Sequence, residues 1–183
     1  YVPSLMKRAW AAQLEVLDGI QKICRKYNIQ YFAEWGTLLG AVRHGGMIPW
    51  DDDFDICMKS EDYNRFIAVA DELPNGSFVT DYRSRETTDN MVARVENSNL
   101  VVVSKDTLEN YHGFPYIAGI DIFRLDPLPA NREEEEQFRQ LSLGIGGVIG
   151  MIDEAEDEKQ ALEQDEVKRY IGKIEKICGV TID

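Results

Sequence analysis

Four aspartates occupy five positions of the run Pro49-Trp50-Asp51-Asp52-Asp53-Phe54-Asp55-Ile56, which leads directly into an apolar segment. Like charges packed this closely raise one another's pKa and cost stability unless a cation neutralises them, so the run restricts how the chain around it folds. Phe54, Ile56 and Met58 alternate with Asp53, Asp55 and Cys57, the period-2 pattern of a strand with one apolar and one polar face. If residues 51–55 are extended, Asp51, Asp53 and Asp55 share a face, and the physical pressure is toward a divalent metal. A donor set of carboxylate oxygens alone selects Mg²⁺, Mn²⁺ or Ca²⁺ over zinc or copper. An EF-hand starting at Asp51 fails, because Ile56 stands where the loop needs Gly and Asp62 where it needs Glu. Asp52 falls on the opposite face, which suits a structural role such as holding the Trp50 loop, or a group supporting the ligands from behind. The plain alternative for the whole run is a solvated turn, a helix cap and surface charge.

Two further features weigh against that alternative. Asp121 is a lone acid inside Gly119-Ile120-Asp121-Ile122-Phe123, where an unpaired buried charge is costly; its plain reading is a structural partner for an arginine such as Arg94. Gly36-Thr37 directly follows a strand-like segment, and such a turn offers backbone N–H groups and a hydroxyl to phosphate oxygens.

Along the chain, apolar residues recur at helical spacing from Leu5 to Tyr27 (Ala9, Trp10, Leu14, Leu17, Ile20, Cys24), with Lys7, Gln13, Gln21 and Lys22 on the other side. Ile29 to Trp35 predicts a strand, and residues 36–43 two helical turns before a loop at His44-Gly45-Gly46 and Pro49. Ser60 caps a helix through Leu73 whose stripe is Tyr63, Phe66, Ile67 and Ala70. Ser77 to Tyr82, Met91 to Glu96, Leu100 to Ser104 and Ile117 to Leu125 read as strands, the middle two joined as a hairpin across Asn97-Ser98-Asn99. Asn131 caps an acidic helix, and a last helix runs through Val167, Ile171, Ile174 and Ile177 to Gly179. Between them Leu143 to Ile152, with four glycines, lacks nucleotide-loop spacing and reads as a close helix contact or a loop. The expectation is an α+β domain over residues 1–130 with a mixed, largely antiparallel sheet flanked by helices. Residues 131–183 add an acidic helical C-terminal part to that domain.

Composition bounds the function. With 44% hydrophobic and 29% charged residues in 183, the chain is globular. Its 20 basic and 33 acidic residues leave a net charge of −13, which repels a nucleic-acid backbone. Twelve acids and three bases fall between 131 and 166, so most of that charge lies in the C-terminal part. Cys24, Cys57 and Cys178 are too few and too scattered for a disulfide framework or a zinc site, which suits a reducing, cytoplasmic setting. Tyr1 to Arg8 has no apolar signal core, and the twelve-residue run Leu141–Ile152 is short of the roughly 20 a membrane helix needs, so no integral membrane segment is expected.

A Gly-Thr turn, an Asp-x-Asp strand and a third Asp on a later strand together resemble the nucleotidyltransferase fold of the polymerase-beta type. More specifically, Gly36-Thr37-Leu38-Leu39-Gly40-Ala41-Val42-Arg43-His44 followed by Ile48-Pro49-Trp50-Asp51-Asp52-Asp53 resembles the signature of the LicD family over some twenty contiguous positions. Ile120-Asp121-Ile122-Phe123 with Leu125-Asp126 resembles that family's second motif. The similarity runs from the first helix to about Pro129.

The resemblance implies a Mg²⁺- or Mn²⁺-dependent transferase of the phosphocholine-transferase and fukutin-related kind. Such an enzyme moves a phospho-alcohol from a CDP-activated donor, CDP-choline-like, to a sugar hydroxyl of a surface glycan of lipopolysaccharide or teichoic acid type. It further implies that Asp53, Asp55 and Asp121 are catalytic and metal-binding, with Asp51 an auxiliary ligand. Gly36 and Thr37 would line the phosphate turn, and Arg43 and Arg94 are candidates for offsetting donor phosphate charge, each with a salt bridge as its alternative. Trp10, Trp35 and Trp50 suggest an aromatic cage for a quaternary ammonium, an idea that Trp10's place on the core stripe does not favour. Two departures stand out. Arg124 occupies a position where the second motif usually has Pro, and the typical C-terminal Tyr-Gly-Asp run with its closing Arg and His does not follow Asp183. The second departure implies a chain incomplete at its C-terminus or a divergent member. Two other readings stay open: a nucleotidyltransferase acting on a small substrate, which would release pyrophosphate instead of CMP, and a catalytically silent binding module.

Overall fold

The protein is described here by a computed structural model, which covers residues 2–81, 92–153, 155, 157–179 and 181. Its chain forms two compact units, Tyr1–Pro127 and Leu128–Asp183.

The first unit opens with helix α1 (Ser4–Tyr27), closed by Asn28 in the left-handed conformation that Asn tolerates at a helix end. Strand β1 (Phe32–Ala33) and helix α2 (Trp35–His44) follow, then β2 (Asp55–Lys59) and α3 (Ser60–Ala68). Strands β3 (Phe78–Thr80), β4 (Ala93–Glu96) and β5 (Gly119–Leu125) complete the sheet, with the short helix α4 (Lys105–Asn110) between the last two. The strand order is β1-β2-β5-β4-β3. Only β2 and β5 run parallel; the other three neighbouring pairs are antiparallel, so the sheet is mixed and largely antiparallel as expected.

Alternation along the strands sends Ile56 and Met58 of β2, Ile120 and Ile122 of β5, and Ala93 and Val95 of β4 into one core with Val16, Ile20 and Ile23 of α1 and Tyr63 and Phe66 of α3. The opposite face carries the polar residues of the same strands.

Several expectations need correction. The predicted strand from Ile29 to Trp35 shrinks to two residues because Trp35 already starts α2. The helix predicted through Leu73 ends at Ala68 and gives way to 3₁₀ turns, and Ser60 is its first residue, without a side-chain cap bond. The two faces of β2 alternate as expected, and the polar one is covered as well, with Asp55 9% and Cys57 2% exposed. Residues 100–104 form no strand, and Leu100, Val101 and Val103 are exposed. The sheet explains this: β4 has β3 on one edge and β5 on the other, leaving no ladder for a third partner. Tyr82 and Met91, at the ends of two predicted strands, lie outside the described residues.

The second unit is helical: α5 (Arg132–Asp153), α6 (Glu158–Leu162) and α7 (Asp165–Cys178). Asn131 caps α5 by accepting the N–H of Glu134 at 2.8 Å, and Glu133, Glu134 and Glu135 sit at its positive end. Val148, Val167 and Ile174 form its core, and Gly179 ends α7 with φ +65°. Residues 143–152 are part of α5, and a Cβ at Gly144, Gly146, Gly147 or Gly150 would meet nothing within 4 Å, so these glycines make no close contact among the described residues. Among the described residues no helix is long and apolar enough to cross a membrane.

Candidate metal and phosphoryl-transfer site

The register of the sheet assembles the site. Asp55 of β2 is paired with Asp121 of β5, and Asp121 with Arg94 of β4, so three adjacent strands set acid, acid and guanidinium in one row. Arg94 Nη1 donates to Asp121 Oδ1 at 2.7 Å, and its Nε stands 3.4 Å from Glu96 Oε1. The guanidinium lies over Gly119: a Cβ there would come to 2.5 Å from Arg94 Nε and 3.0 Å from its Cζ. The ion pair weighed for Asp121 is therefore present; a carboxylate has lone pairs for both an arginine and a cation, and Arg94 offers the two sheet acids a built-in countercharge.

Asp51, Asp52 and Asp53 precede β2 in irregular backbone and do not alternate as an extended segment would. Their loop gathers one carboxylate oxygen from each of the three within 4.8 Å of one another, which brings Asp52 into the cluster. Gly36 faces Asp51 so closely that a Cβ would overlap Asp51 Oδ2 and lie 3.0 Å from Cγ. Thr37 Oγ1 accepts the N–H of Asp55 at 2.8 Å. Accepting that bond leaves the hydroxyl proton to donate, so anchoring Asp55 and meeting a phosphate oxygen are compatible roles. Trp35, with φ +43°, stacks edge-on against Phe123 and brings the start of α2 to the sheet.

Electrostatics agree with the geometry. Burial first, and then the charges of Asp53, Asp121 and Asp51, push Asp55 up to about 6, with Arg94 opposing. Asp51 is also raised, by burial and by Asp53 and Asp52. All donors are carboxylate oxygens, and the space Gly36 leaves is filled by one of them. The set fits a hard divalent cation that would relieve these clustered charges.

Two cavities border Asp53. An apolar slot of about 290 Å³ runs beneath Gly36, Thr37, Met47 and Ile48 and has Asp51 and Asp53 in its wall. A wider cleft of about 640 Å³ is lined by Gln13, Asp52, Asp53, Arg94, Phe114 and Tyr116 among others. Arg43 is exposed in the last turn of α2. Trp35 and Trp50 are exposed, and Trp50 packs edge-on with His44. Arg124, at the position where the related motif usually has Pro, donates to Asp126 Oδ1 at 2.9 and 3.0 Å and lies over the Tyr63 ring.

Sequence reasoning missed Trp10 and Gln13. Trp10 donates its indole N–H to the carbonyl of Asp51, and Gln13 its amide N–H to the carbonyl of Asp52, each at 2.8 Å. Gln13 was expected on the polar side of α1, yet it is 6% exposed, while Leu5 and Leu14 of the predicted stripe are half exposed. Its spacing from Ala9, Val16 and Ile20, all buried, was the available signal.

Residues 28–118 match the model of the family described as LicD/FKTN/FKRP, nucleotidyltransferase domain. The chain is 48% identical over 56 residues to the lipopolysaccharide cholinephosphotransferase LicD of Haemophilus influenzae, covering 31% of this chain and 21% of that protein. It is 53% identical over 35 residues to human ribitol 5-phosphate transferase FKRP, covering 19% of this chain and 7% of that protein. An uncharacterised Rickettsia typhi protein is 48% identical over 52 residues, 28% of this chain and 17% of its own length. The chain thus spans about a fifth or less of the length of these relatives. Asp121, Arg124 and the whole of α1 lie outside the matched span. Taken with the acidic loop, the Gly36-Thr37 helix start and the mixed sheet that joins them, these matches establish that the chain belongs to the LicD/FKTN/FKRP family.

Proposed function

We propose that this chain carries the catalytic nucleotidyltransferase-fold domain of a metal-dependent transferase that moves a phospho-alcohol, phosphocholine-like, from a CDP-activated donor to a sugar hydroxyl of a surface glycan. The observation that carries the reading is the row Asp55–Asp121–Arg94 across three strands, with the Asp51–Asp53 cluster at its edge. Asp51, Asp53, Asp55 and Asp121 would hold Mg²⁺ or Mn²⁺. When bound, that cation supplies positive charge to the phosphoryl oxygens.

The chain's own residues do the positioning. Thr37 and the β2–β5 register hold Asp55 and Asp121 on one face, Gly36 leaves room for Asp51, and Arg94 and Arg43 are cations for donor phosphates. Two relatives, a lipopolysaccharide cholinephosphotransferase and a ribitol 5-phosphate transferase, support a phospho-alcohol as the transferred group, and the first supports a glycan acceptor of lipopolysaccharide type; a teichoic acid type acceptor is part of the same proposal. A cytoplasmic setting agrees with three free cysteines, one of them exposed.

Calorimetric titration of CDP-choline, CDP-ribitol and CTP with and without Mg²⁺ tests the reading, together with product analysis. Metal-dependent binding of a CDP-alcohol and release of CMP support it. Pyrophosphate release from CTP assigns a nucleotidyltransferase instead, and nucleotide binding without turnover assigns a silent module.

A further inference from the structure

We infer that Trp10 and Gln13 of α1 are positioning residues for the divalent-metal site, an inference that rests on the metal-dependent reading above. The acidic loop has no secondary structure of its own between residues 51 and 54. Its ends are tied by backbone bonds, the N–H of Asp51 to Ile48 at 3.0 Å and the carbonyl of Phe54 to the N–H of Asp121 at 3.2 Å. Between those ties the carbonyls of Asp51 and Asp52 take their donors from α1, some forty residues earlier in the chain. Trp10 and Gln13 are one helical turn apart and so present their N–H groups side by side. The carboxylates that these two carbonyls orient carry like charges within 4.8 Å and repel, so the loop relaxes outward unless something holds it.

Gln13 has a second property that a packing residue would lack. It is 6% exposed, and its Oε1 is buried with no hydrogen-bond partner among the described residues. An orphaned acceptor in the core is unfavourable, and leucine between Ala9, Ala12 and Val16 would remove it at the cost of the bond to the Asp52 carbonyl. The amide is thus explained by what its donor side does for the loop.

The opposing demands of stability and positioning make the inference testable in the full chain with Mn²⁺ as the probe, counting free ion by electron paramagnetic resonance and following unfolding by circular dichroism. Gln13→Leu removes one orphaned acceptor and orphans the Asp52 carbonyl, so it is expected to bind Mn²⁺ roughly 5- to 10-fold more weakly with a Tm close to the wild type's. Trp10→Phe, which keeps an aromatic ring and removes the N–H, should weaken binding by a similar factor. Wild-type affinity in both variants overturns the inference, as does a loss of affinity that in both merely tracks a fall in Tm. If the wild-type chain binds Mn²⁺ no better than Asp53→Asn/Asp55→Asn does, the metal reading itself fails, and the inference with it.

Discussion

Gly36 and Asp51 share a space that holds one side chain: a Cβ on the glycine would overlap the aspartate's Oδ2. Gly36 needs no unusual backbone angle here; it is required by the close approach of the acid to the first turn of α2. Gly36→Ala is therefore expected to fold, to push Asp51 out of the cluster, and to weaken Mn²⁺ binding at least tenfold, about 1.4 kcal/mol. Equal affinities for the variant and the wild type would remove Asp51 from the ligand set.

Thr37 anchors the first residue of β2. Thr37→Val keeps the shape and orphans the N–H of Asp55, at an expected cost of about 1–3 kcal/mol, whereas Thr37→Ser keeps the oxygen and most of the stability. Urea unfolding of the two variants separates the hydroxyl's contribution from that of the methyl group.

Arg94 is the countercharge of the row, a third exposed and paired with both Asp121 and Glu96. Arg94→Gln should lower stability by only about 1 kcal/mol, given that exposure. Added Mg²⁺ should then raise the variant's Tm by more than it raises the wild type's, because the acids have lost their other cation. Gly119→Ala should reproduce part of this, since its Cβ displaces the guanidinium. An identical Mg²⁺ response in Arg94→Gln and wild type would show that the arginine does not neutralise the site.

Asp55 gives the pH dependence a sign. Its folded-state pKa is raised to about 6 from an ordinary 3.8, so the folded chain holds this proton more tightly than the unfolded chain does. The stability tied to the neutral carboxyl is fully present below about pH 4 and is lost as pH rises through about 6. In metal-free buffer the Tm of wild type relative to Asp55→Asn should fall across that window, and Mg²⁺ should restore it at the upper end. A difference that is flat between pH 4 and 7 would argue against the charge cluster around Asp55.

Local chemistry was legible in the residues themselves. The long first helix, the short helix after Gly36, the Asn131 cap and the Gly179 stop depend on patterns and caps within a few positions of one another. Errors arose where a distant partner decides. Gln13 is polar by composition and buried because the Asp52 carbonyl waits above it. Leu100 to Ser104 has strand-like composition and no strand, because both edges of β4 are already taken. Residues 51–54 do not alternate as an extended segment, because a loop held from α1 turns three successive carboxylates toward one point.

By itself the sequence determined the carboxylate chemistry, the family signature and the order of most elements, all of which are properties of neighbouring residues. Only the tertiary structure decided that Asp55, Asp121 and Arg94 form one row, that Asp52 joins the cluster and that α1 steadies it. The physical reason is register: a one-residue slip between β2 and β5 would turn Asp55 away from Asp121. That register is set by the packing of β2, β5 and β4 against α1 and α3, through contacts far apart in the chain.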